Sequence, residues 1–277
     1  MRSAFTRVTP LLVAVGLLVP SSVFAQINFV KSGYYLSMGD SVAAGEGALP
    51  VTHGFVYQLY DRGVFGRLQE IDFSNIAIKG ATALEVQAFQ VPQAVCIQPP
   101  RILVAPSVIT LTAGANDFEI FLATHDMTDP ASVAQIPAVA DGIAATVESV
   151  IRSLVFGISG QLSCPGIPGV TVLVSNYYSF NHPDPTINAV LNLALTTFGT
   201  SLQARVAQIQ ADILSTPGNT ARVGYVDTYA AMFGRTGLLL IERRNGFNGG
   251  LDFEIHPTNA GHTVIAEEFE KVWKSLQ

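Results

Sequence analysis

Short apolar runs and longer amphipathic stretches alternate along the chain. The short runs are rich in β-branched or aromatic residues and end at glycine or polar positions, which is typical of buried strands. They predict five strands, at residues 34–38, 71–78, 108–112, 170–175 and 222–226. Apolar residues spaced three and four apart predict helical stretches between them, at residues 55–68, 83–89, 131–156 and 186–214. A closing helix is predicted to start at Pro257.

This order of elements predicts the fold class. Helices that alternate with strands supply crossover connections, so the strands are expected to form a parallel sheet with helices on both faces. No internal repeat, low-complexity segment or linker interrupts the pattern. The protein is therefore predicted to be α/β, with residues 26–277 as a single domain.

The first 25 residues have a different character. Arg2 and Arg7 precede an apolar stretch at 11–19, and the segment ends in a small residue at Ala25. This pattern predicts a secretory signal peptide at residues 1–25, cleaved after Ala25, and a secreted or periplasmic mature protein. The apolar stretch is short for a membrane span, so no stable membrane anchor is expected.

Charge narrows the choice of partners. The formal net charge is −6, charged residues make up 13% of the chain and hydrophobic residues 49%. This composition supports a large core, and the absence of a basic run argues against nucleic acid and anionic membrane surfaces as partners. We expect a monomer.

Two cysteines, Cys96 and Cys164, follow the predicted signal peptide. In an oxidising compartment they are able to form one disulfide, and two buried free thiols are the alternative. Two cysteines so far apart are a poor zinc signature. Neither a dinucleotide-binding GxGxxG motif nor a phosphate-binding GxxxxGK[ST] motif follows a strand, so no cofactor or metal is expected.

Small and polar residues follow the predicted strands. They are Gly39-Asp40-Ser41 after the first strand, Gly80 after the second and residues 114–117 after the third. Residues 252–257 come directly before the closing helix. In an open parallel sheet, ligands bind beyond the carboxyl ends of the strands. These four segments are therefore expected to meet at one edge of the sheet.

The same four segments resemble, in order, the sequence blocks of the SGNH hydrolases, also called GDSL-type lipases or esterases. The blocks read GDS at 39–41, NIAIKGAT at 75–82, GAND at 114–117 and HPTNAGH at 256–262. They span nearly all of the expected mature chain. The resemblance implies a flavodoxin-like, three-layer α/β/α sandwich and the hydrolysis of carboxylic esters without metal or cofactor.

The resemblance also assigns roles to residues. Ser41 is implied as the nucleophile and His256 as the general base, because a serine needs a base within hydrogen-bond reach. The implied oxyanion hole consists of the backbone N–H groups of Ser41 and Gly80 and the side-chain amide of Asn116. His262, inside the closing helix, is not expected to be catalytic, and His182 is a candidate for substrate contact.

One position departs from the pattern of these hydrolases. The carboxylate that orients the histidine normally lies three residues before it, and Phe253 stands there. We expect Asp252 to take this role, with Glu254 as the alternative and a main-chain carbonyl third. In an extended segment Glu254 lies on the same side as His256, whereas Asp252 needs a tight turn.

The substrate is expected to be a short acyl ester, an acetylated carbohydrate or a lipid, the last because the apolar loop 233–241 is able to form a lipid-facing rim. The alternative is a secreted carbohydrate- or ligand-binding module with the same fold and weak or no turnover. A standard α/β-hydrolase is disfavoured because the chain has no GxSxG motif.

Overall fold

The computed structural model describes residues 33–66, 71–96, 105–178, 184–235, 237–239, 242–243, 253–254 and 256–277, the two pairs 242–243 and 253–254 as backbone only. The predicted signal peptide at residues 1–25 lies outside the described residues, as do His182 and Asp252. Of the apolar loop at 233–241, the structure describes residues 233–235 and 237–239.

Five parallel strands form the central sheet and confirm the predicted fold class. They are β1 (Gly33–Gly39), β2 (Ile71–Asn75), β3 (Val108–Thr112), β4 (Thr171–Ser175) and β5 (Arg222–Val226). Their spatial order is β2-β1-β3-β4-β5, the flavodoxin-like order. A separate antiparallel ribbon pairs β6 (Glu242–Arg243) with β7 (Phe253–Glu254), shortly before the closing helix.

Helices cover both faces of this sheet. They are α1 (Ser41–Ala44), α2 (Phe55–Asp61), α3 (Ala83–Glu85), α4 (Val91–Val95), α5 (Ala115–Thr124), α6 (Pro130–Val133), α7 (Ile136–Phe156), α8 (Pro185–Ser215), α9 (Thr228–Met232) and α10 (Asn259–Ser275). On one face α2 packs against α10; on the other, α7 packs along α8 and contacts α3 and α4. Within the described ranges, no helix combines the length and the apolar character needed to cross a membrane.

The register of the sheet aligns the carboxyl ends of four strands. Gly39 of β1 pairs with Thr112 of β3, Thr112 with Ser175 of β4, and Ser175 with Val226 of β5. The residues that follow these strands therefore start from one row at one edge of the sheet. This alignment is what brings distant parts of the sequence together at the site.

Two predicted elements are shorter than the apolar pattern suggests. The helix predicted at 131–156 is broken at 134–135 into α6 and α7, because Pro137 has no N–H to continue the hydrogen-bond ladder and fits only in a first turn. The strand predicted at 71–78 ends at Asn75, whose side chain accepts a hydrogen bond from the Ala77 amide (3.1 Å) and turns the chain.

The helix predicted at 83–89 continues to Val95. A π-helical turn, Val86–Gln90, joins α3 to α4, directly before Pro92. Cys96 follows α4 and forms a disulfide with Cys164, in the segment after α7. This bond decides between the two alternatives that the sequence left open, and it joins the end of α4 to the segment that leads into β4.

Candidate active site

Ser41 is the first residue of α1, immediately beyond the end of β1. Gly39 precedes it with a left-handed φ of 131°, and a side chain at this position would place its Cβ 2.0 Å from the Thr112 carbonyl oxygen. The buried side chain of Gln90 accepts a hydrogen bond from Gly39 N (2.7 Å) and donates one to Gly39 O (2.8 Å). The packing against Thr112 and the hydrogen bonds to Gln90 therefore fix the turn that precedes Ser41.

Asp40 is fully buried and accepts hydrogen bonds from three directions. Thr112 Oγ1 donates to Asp40 Oδ1 (2.8 Å), as does the amide of Val42 (3.0 Å), and the hydroxyl of Tyr177 donates to Oδ2. Burial raises the pKa of the Asp40 carboxyl to about 6, and these donors oppose the rise. Asp40 caps α1 through Val42, so it does not occupy the Ser41 amide that the predicted oxyanion hole requires.

His256 contacts the predicted nucleophile directly. Its Nε2 lies 2.8 Å from Ser41 Oγ, across 215 positions of sequence. The imidazole is mostly buried, with 14% of the side chain exposed. The structure therefore brings together the serine and the histidine that the sequence had paired by resemblance.

The position of His256 depends on close packing against the loop after α1. Gly47 has a left-handed φ of 88°, and a Cβ there would lie 2.3 Å from the Pro257 carbonyl oxygen and 2.9 Å from His256 Cβ. Farther along, the Asn259 side chain accepts a hydrogen bond from Leu49 N and donates one to Leu49 O, each at 2.8 Å. These contacts fix the start of α10 against the loop that follows Ser41.

A second acidic group lies beside the Ser–His pair. Glu46 Oε2 is 3.8 Å from His256 Nε2, and Glu46 Oε1 is 3.1 Å from Lys79 Nζ. Lys79 directly precedes Gly80. Glu46 therefore places negative charge beside the ring of His256, and its other oxygen is paired with the Lys79 ammonium.

His262 has a structural position, which agrees with the expectation that it is not catalytic. It is fully buried; Phe55 N donates to its Nδ1 (3.2 Å), and its Nε2 donates to the Glu46 carbonyl oxygen (2.9 Å). Burial lowers the pKa of His262 to about 4, so the ring is neutral near pH 7. The ring joins α10 to the start of α2 and to the loop that carries Glu46.

Besides Ser41, the predicted oxyanion donors are Asn116 and Gly80. Only Asn116 lines the cleft next to Ser41. Asn116 lines the same cleft as Ser41 and His256, and its Nδ2 donates one hydrogen bond to the Ala81 carbonyl oxygen (2.9 Å). An amide carries two donor hydrogens, so a second remains for a substrate. Gly80 lies next to Ala81 on an exposed loop and is not among the residues that line the cleft.

The predicted orienting acid stays a prediction. Asp252 lies outside the described residues, and of Glu254 only the backbone is described, as part of the two-residue strand β7. Among the side chains that the structure does describe, no three His, Cys, Asp or Glu residues are grouped so as to hold a metal ion.

An apolar cleft, named here the α5–α8 cleft, opens beside Ser41. Its volume is about 610 Å³, counted with its open mouth. Ser41, Asn116 and His256 lie on its wall together with Phe118 and Leu122 of α5 and with Leu191, Ala194 and Leu195 of α8. Tyr177 and Tyr178, which follow β4, complete the wall. The site thus combines a hydrogen-bonded serine–histidine pair with a predominantly hydrophobic surface.

Three residues of this site were not found by the sequence reasoning. Gln90, Glu46 and Tyr177 carry no motif of their own. Gln90 is a polar residue in a helical stretch, which ordinarily indicates exposure, and only the π-helical turn and the packing against β1 bury it. A tyrosine two residues after a buried strand was a usable signal for Tyr177, because the ends of β1 and β3, in the same row, are followed by Ser41 and Asn116.

Comparison with known proteins gives one family and a set of structural relatives. The family model described as GDSL-like Lipase/Acylhydrolase matches residues 35–269. An extracellular lipase from Streptomyces rimosus is 17% identical with a TM-score of 0.57, covering 89% of this chain and all of its own. A catalytic mutant of an acetylxylan esterase from Geobacillus stearothermophilus is 17% identical with a TM-score of 0.52, covering 88% of this chain and 94% of its own.

A lipase from a goat rumen metagenome is similar to the same degree, with 18% identity and a TM-score of 0.52 over 87% of this chain and 97% of its own. No curated protein sequence matches the chain significantly. At these identities the solved structures support the fold, and the family model supports the family.

The pKa values of His262 and Asp40 predict opposite effects of pH on stability. Between its ordinary pKa of 6.5 and about 4, His262 binds a proton in the unfolded chain but not in the folded one, so acidification lowers the free energy of unfolding. At pH values between about 6 and its ordinary pKa of 3.8, Asp40 binds a proton in the folded chain only. Acidification through this range therefore raises the free energy of unfolding. Each contribution is on the order of 3 kcal/mol over the full interval.

Urea unfolding of the wild type, His262→Gln and Asp40→Asn between about pH 7 and pH 4.5 separates the two contributions. On acidification, His262→Gln should lose less stability than the wild type, and Asp40→Asn should lose more. Parallel curves for all three proteins would contradict the assignment.

Proposed function

Because the chain belongs to the GDSL-like lipase/acylhydrolase family, we propose that this carboxylic ester hydrolase acts through an acyl-enzyme intermediate on Ser41. One observation carries the proposal, the 2.8 Å contact between Ser41 Oγ and His256 Nε2. A serine hydroxyl is a weak nucleophile by itself, and a neutral imidazole at this distance is a base able to take its proton.

In the first half of the reaction Ser41 Oγ attacks the ester carbonyl carbon while its proton passes to His256 Nε2. The tetrahedral intermediate then collapses, the bond to the alcohol oxygen breaks, and His256 gives its proton to the departing alcohol. Glu46 and the buried Asp40 carboxylate favour the imidazolium during this interval, because both place negative charge near the ring.

In the second half a water molecule replaces the alcohol. His256 takes a proton from the water as its oxygen attacks the acyl carbon, and then returns a proton to Ser41 Oγ as the acid leaves. Atoms and protons balance over the cycle, so one ester and one water give one alcohol and one acid. The cycle uses only side-chain acid–base chemistry.

The proposed oxyanion hole consists of the Ser41 and Gly80 amides and Asn116 Nδ2. The position of Asn116 on the wall of the cleft supports its role as an oxyanion donor. The hydrogen bond to the Ala81 carbonyl oxygen uses one amide hydrogen and leaves the second for the oxyanion. Gly80 is the weaker member, because its loop is exposed and does not line the cleft.

We also propose that the enzyme acts outside the cytoplasm after cleavage near Ala25. The charged and apolar pattern of residues 1–25 supports this, and so does the Cys96–Cys164 disulfide, because such bonds persist in oxidising compartments.

Replacement of Ser41 by alanine should abolish ester hydrolysis without unfolding the protein, since the side chain makes its described hydrogen bond only to His256. We expect the rate to fall at least about a thousandfold, the usual cost of losing the nucleophile. Initial rates on a chromogenic butyrate ester measure this, with circular dichroism as the folding control. A fluorophosphonate probe should label wild-type Ser41, and labelling at another residue would refute the role.

The proposed role of Asn116 predicts a loss in kcat with little change in KM. Asn116→Ala should lower kcat roughly a hundredfold or more, because one transition-state donor is removed. Steady-state kinetics separates the two constants. An effect on KM alone would show that Asn116 binds substrate without stabilising the oxyanion.

The orienting acid is tested by a matched pair of isosteric variants. If Asp252 holds His256, Asp252→Asn should lower kcat on the order of a thousandfold, and Glu254→Gln should be nearly silent. The reverse result would give the role to Glu254. If both variants keep activity within about tenfold of wild type, a main-chain carbonyl orients the ring.

A further inference from the structure

The hydroxyl of Tyr177 supports the buried Asp40 carboxylate from a third strand. Tyr177 follows β4 and is buried, with 5% of the residue exposed. Its hydroxyl donates a hydrogen bond to Asp40 Oδ2, whereas Thr112 Oγ1 and the Val42 amide both donate to Oδ1. Among the described side chains, Tyr177 is therefore the donor that engages the second carboxylate oxygen.

This hydrogen bond matters for the charge of Asp40. Burial raises the pKa of the Asp40 carboxyl to about 6, and the Tyr177 hydroxyl is the largest contribution that opposes the rise. A buried carboxylate that loses this donor keeps an unsatisfied oxygen, takes up a proton or turns toward another donor. Each outcome disturbs the first turn of α1, because Asp40 caps that turn at Val42.

The ring of Tyr177 faces the start of α5. Phe198 of α8 lies against this ring (6.1 Å between centroids) and against Phe118 of α5 (6.0 Å). Phe198 also lies so close to Gly114, the residue before α5, that a Cβ there would be 3.3 Å from its Cζ. Burial raises the pKa of Tyr177 well above its ordinary value, and the N–H of Ala115 opposes this rise as a donor to the hydroxyl oxygen. Tyr177 therefore lies between the first turns of α1 and α5.

These two turns carry two of the donors proposed for the oxyanion. Ser41 begins α1, and Asn116 is the second residue of α5. Two donors stabilise one oxyanion only when both lie within hydrogen-bond distance of the same point, so a small shift of one helix against the other weakens the transition state.

We propose that Tyr177 is a positioning residue of the oxyanion hole, and that its hydroxyl, through Asp40, aligns the Ser41 amide with the Asn116 side-chain amide. The inference rests on the proposed function, because it takes Ser41 as the nucleophile and Asn116 as an oxyanion donor. Tyr177 acts through α1 and α5 and needs no hydrogen bond to the substrate.

Tyr177→Phe tests this role, because it removes the hydroxyl and keeps an aromatic ring on the wall of the α5–α8 cleft. For a chromogenic butyrate ester, kcat should fall at least about tenfold and KM should change by less than about threefold, since the surface that binds the substrate is retained. An unchanged kcat, or a change in KM alone, would overturn the inference.

Tyr35→Phe is the matched control. Tyr35 is fully buried in β1, its hydroxyl is hydrogen-bonded to Thr110 Oγ1 (3.0 Å), and it does not line the cleft. This variant also loses one buried hydroxyl, and its kcat should stay within about twofold of wild type. Urea unfolding compares the two variants. If Tyr35→Phe lost kcat as strongly as Tyr177→Phe, weakened folding would explain both results and the inference would be wrong.

A double-mutant cycle with Asn116 distinguishes alignment from a general loss of packing. In Asn116→Ala the Ser41 amide has no side-chain amide on α5 with which to be aligned. Adding Tyr177→Phe to this variant should therefore lower kcat by less than about threefold. The same loss in both backgrounds would contradict the proposed alignment.

Thr112→Val carries the test if urea unfolding shows that Tyr177→Phe does not fold. It removes the other side-chain donor to Asp40, and Thr112 does not line the cleft. We expect kcat to fall at least about threefold with KM unchanged. Wild-type kcat in this variant would overturn the inference.

The proposed function fails on a different observation. If the wild type hydrolyses no ester and a fluorophosphonate probe leaves Ser41 unlabelled, the catalytic assignment is wrong, and the inference about Tyr177 falls with it. Labelled Ser41 in an active enzyme whose kcat does not depend on the Tyr177 hydroxyl would overturn the inference alone.

Discussion

The buried carboxylate of Asp40 is the constraint on which the arrangement of the site depends. A charged group without contact to water must be surrounded by donors, and here the donors come from Thr112 at the end of β3, Tyr177 beyond β4 and the first turn of α1. These donors meet only because the parallel register aligns the strand ends. The hydrogen bonds that make burial of Asp40 tolerable therefore also fix the neighbouring Ser41.

His256 and His262 show how environment separates two like residues six positions apart. His256 lies at the wall of an open cleft and contacts a hydroxyl, whereas His262 is enclosed and hydrogen-bonded to backbone groups at both ring nitrogens. The first is able to exchange protons with a substrate. The second joins three segments, and its neutrality is part of the fold.

Most of the fold was predictable because its strands are short apolar runs, and β3 and β4 are buried at every residue. β3 and β5 have the bounds that the apolar runs predict, β1 is longer by one residue at each end, and β4 is shorter by one residue at its start. The break at 134–135 and the end of β2 were missed because both depend on single local hydrogen bonds, one absent at Pro137 and one made by Asn75. Hydrophobic periodicity does not record either.

The contact between Ser41 and His256 was predictable because both residues belong to sequence motifs, whereas the residues that hold the pair in place were not. Gln90 and Tyr177 act through contacts between segments 50 to 140 positions apart, which no local pattern reports. The acid is a harder case. Asp252 and Glu254 are two residues apart, so the alternation of an extended segment places both on one side, and the sequence pattern alone does not separate them.

The packing of Gly47 against His256 bears on how relatives of this chain should be classified. A substitution at position 47 leaves all four sequence blocks intact, yet any side chain there must displace the segment that carries the histidine. Such a chain would still match all four sequence blocks, so a motif match by itself does not report whether the histidine reaches the serine.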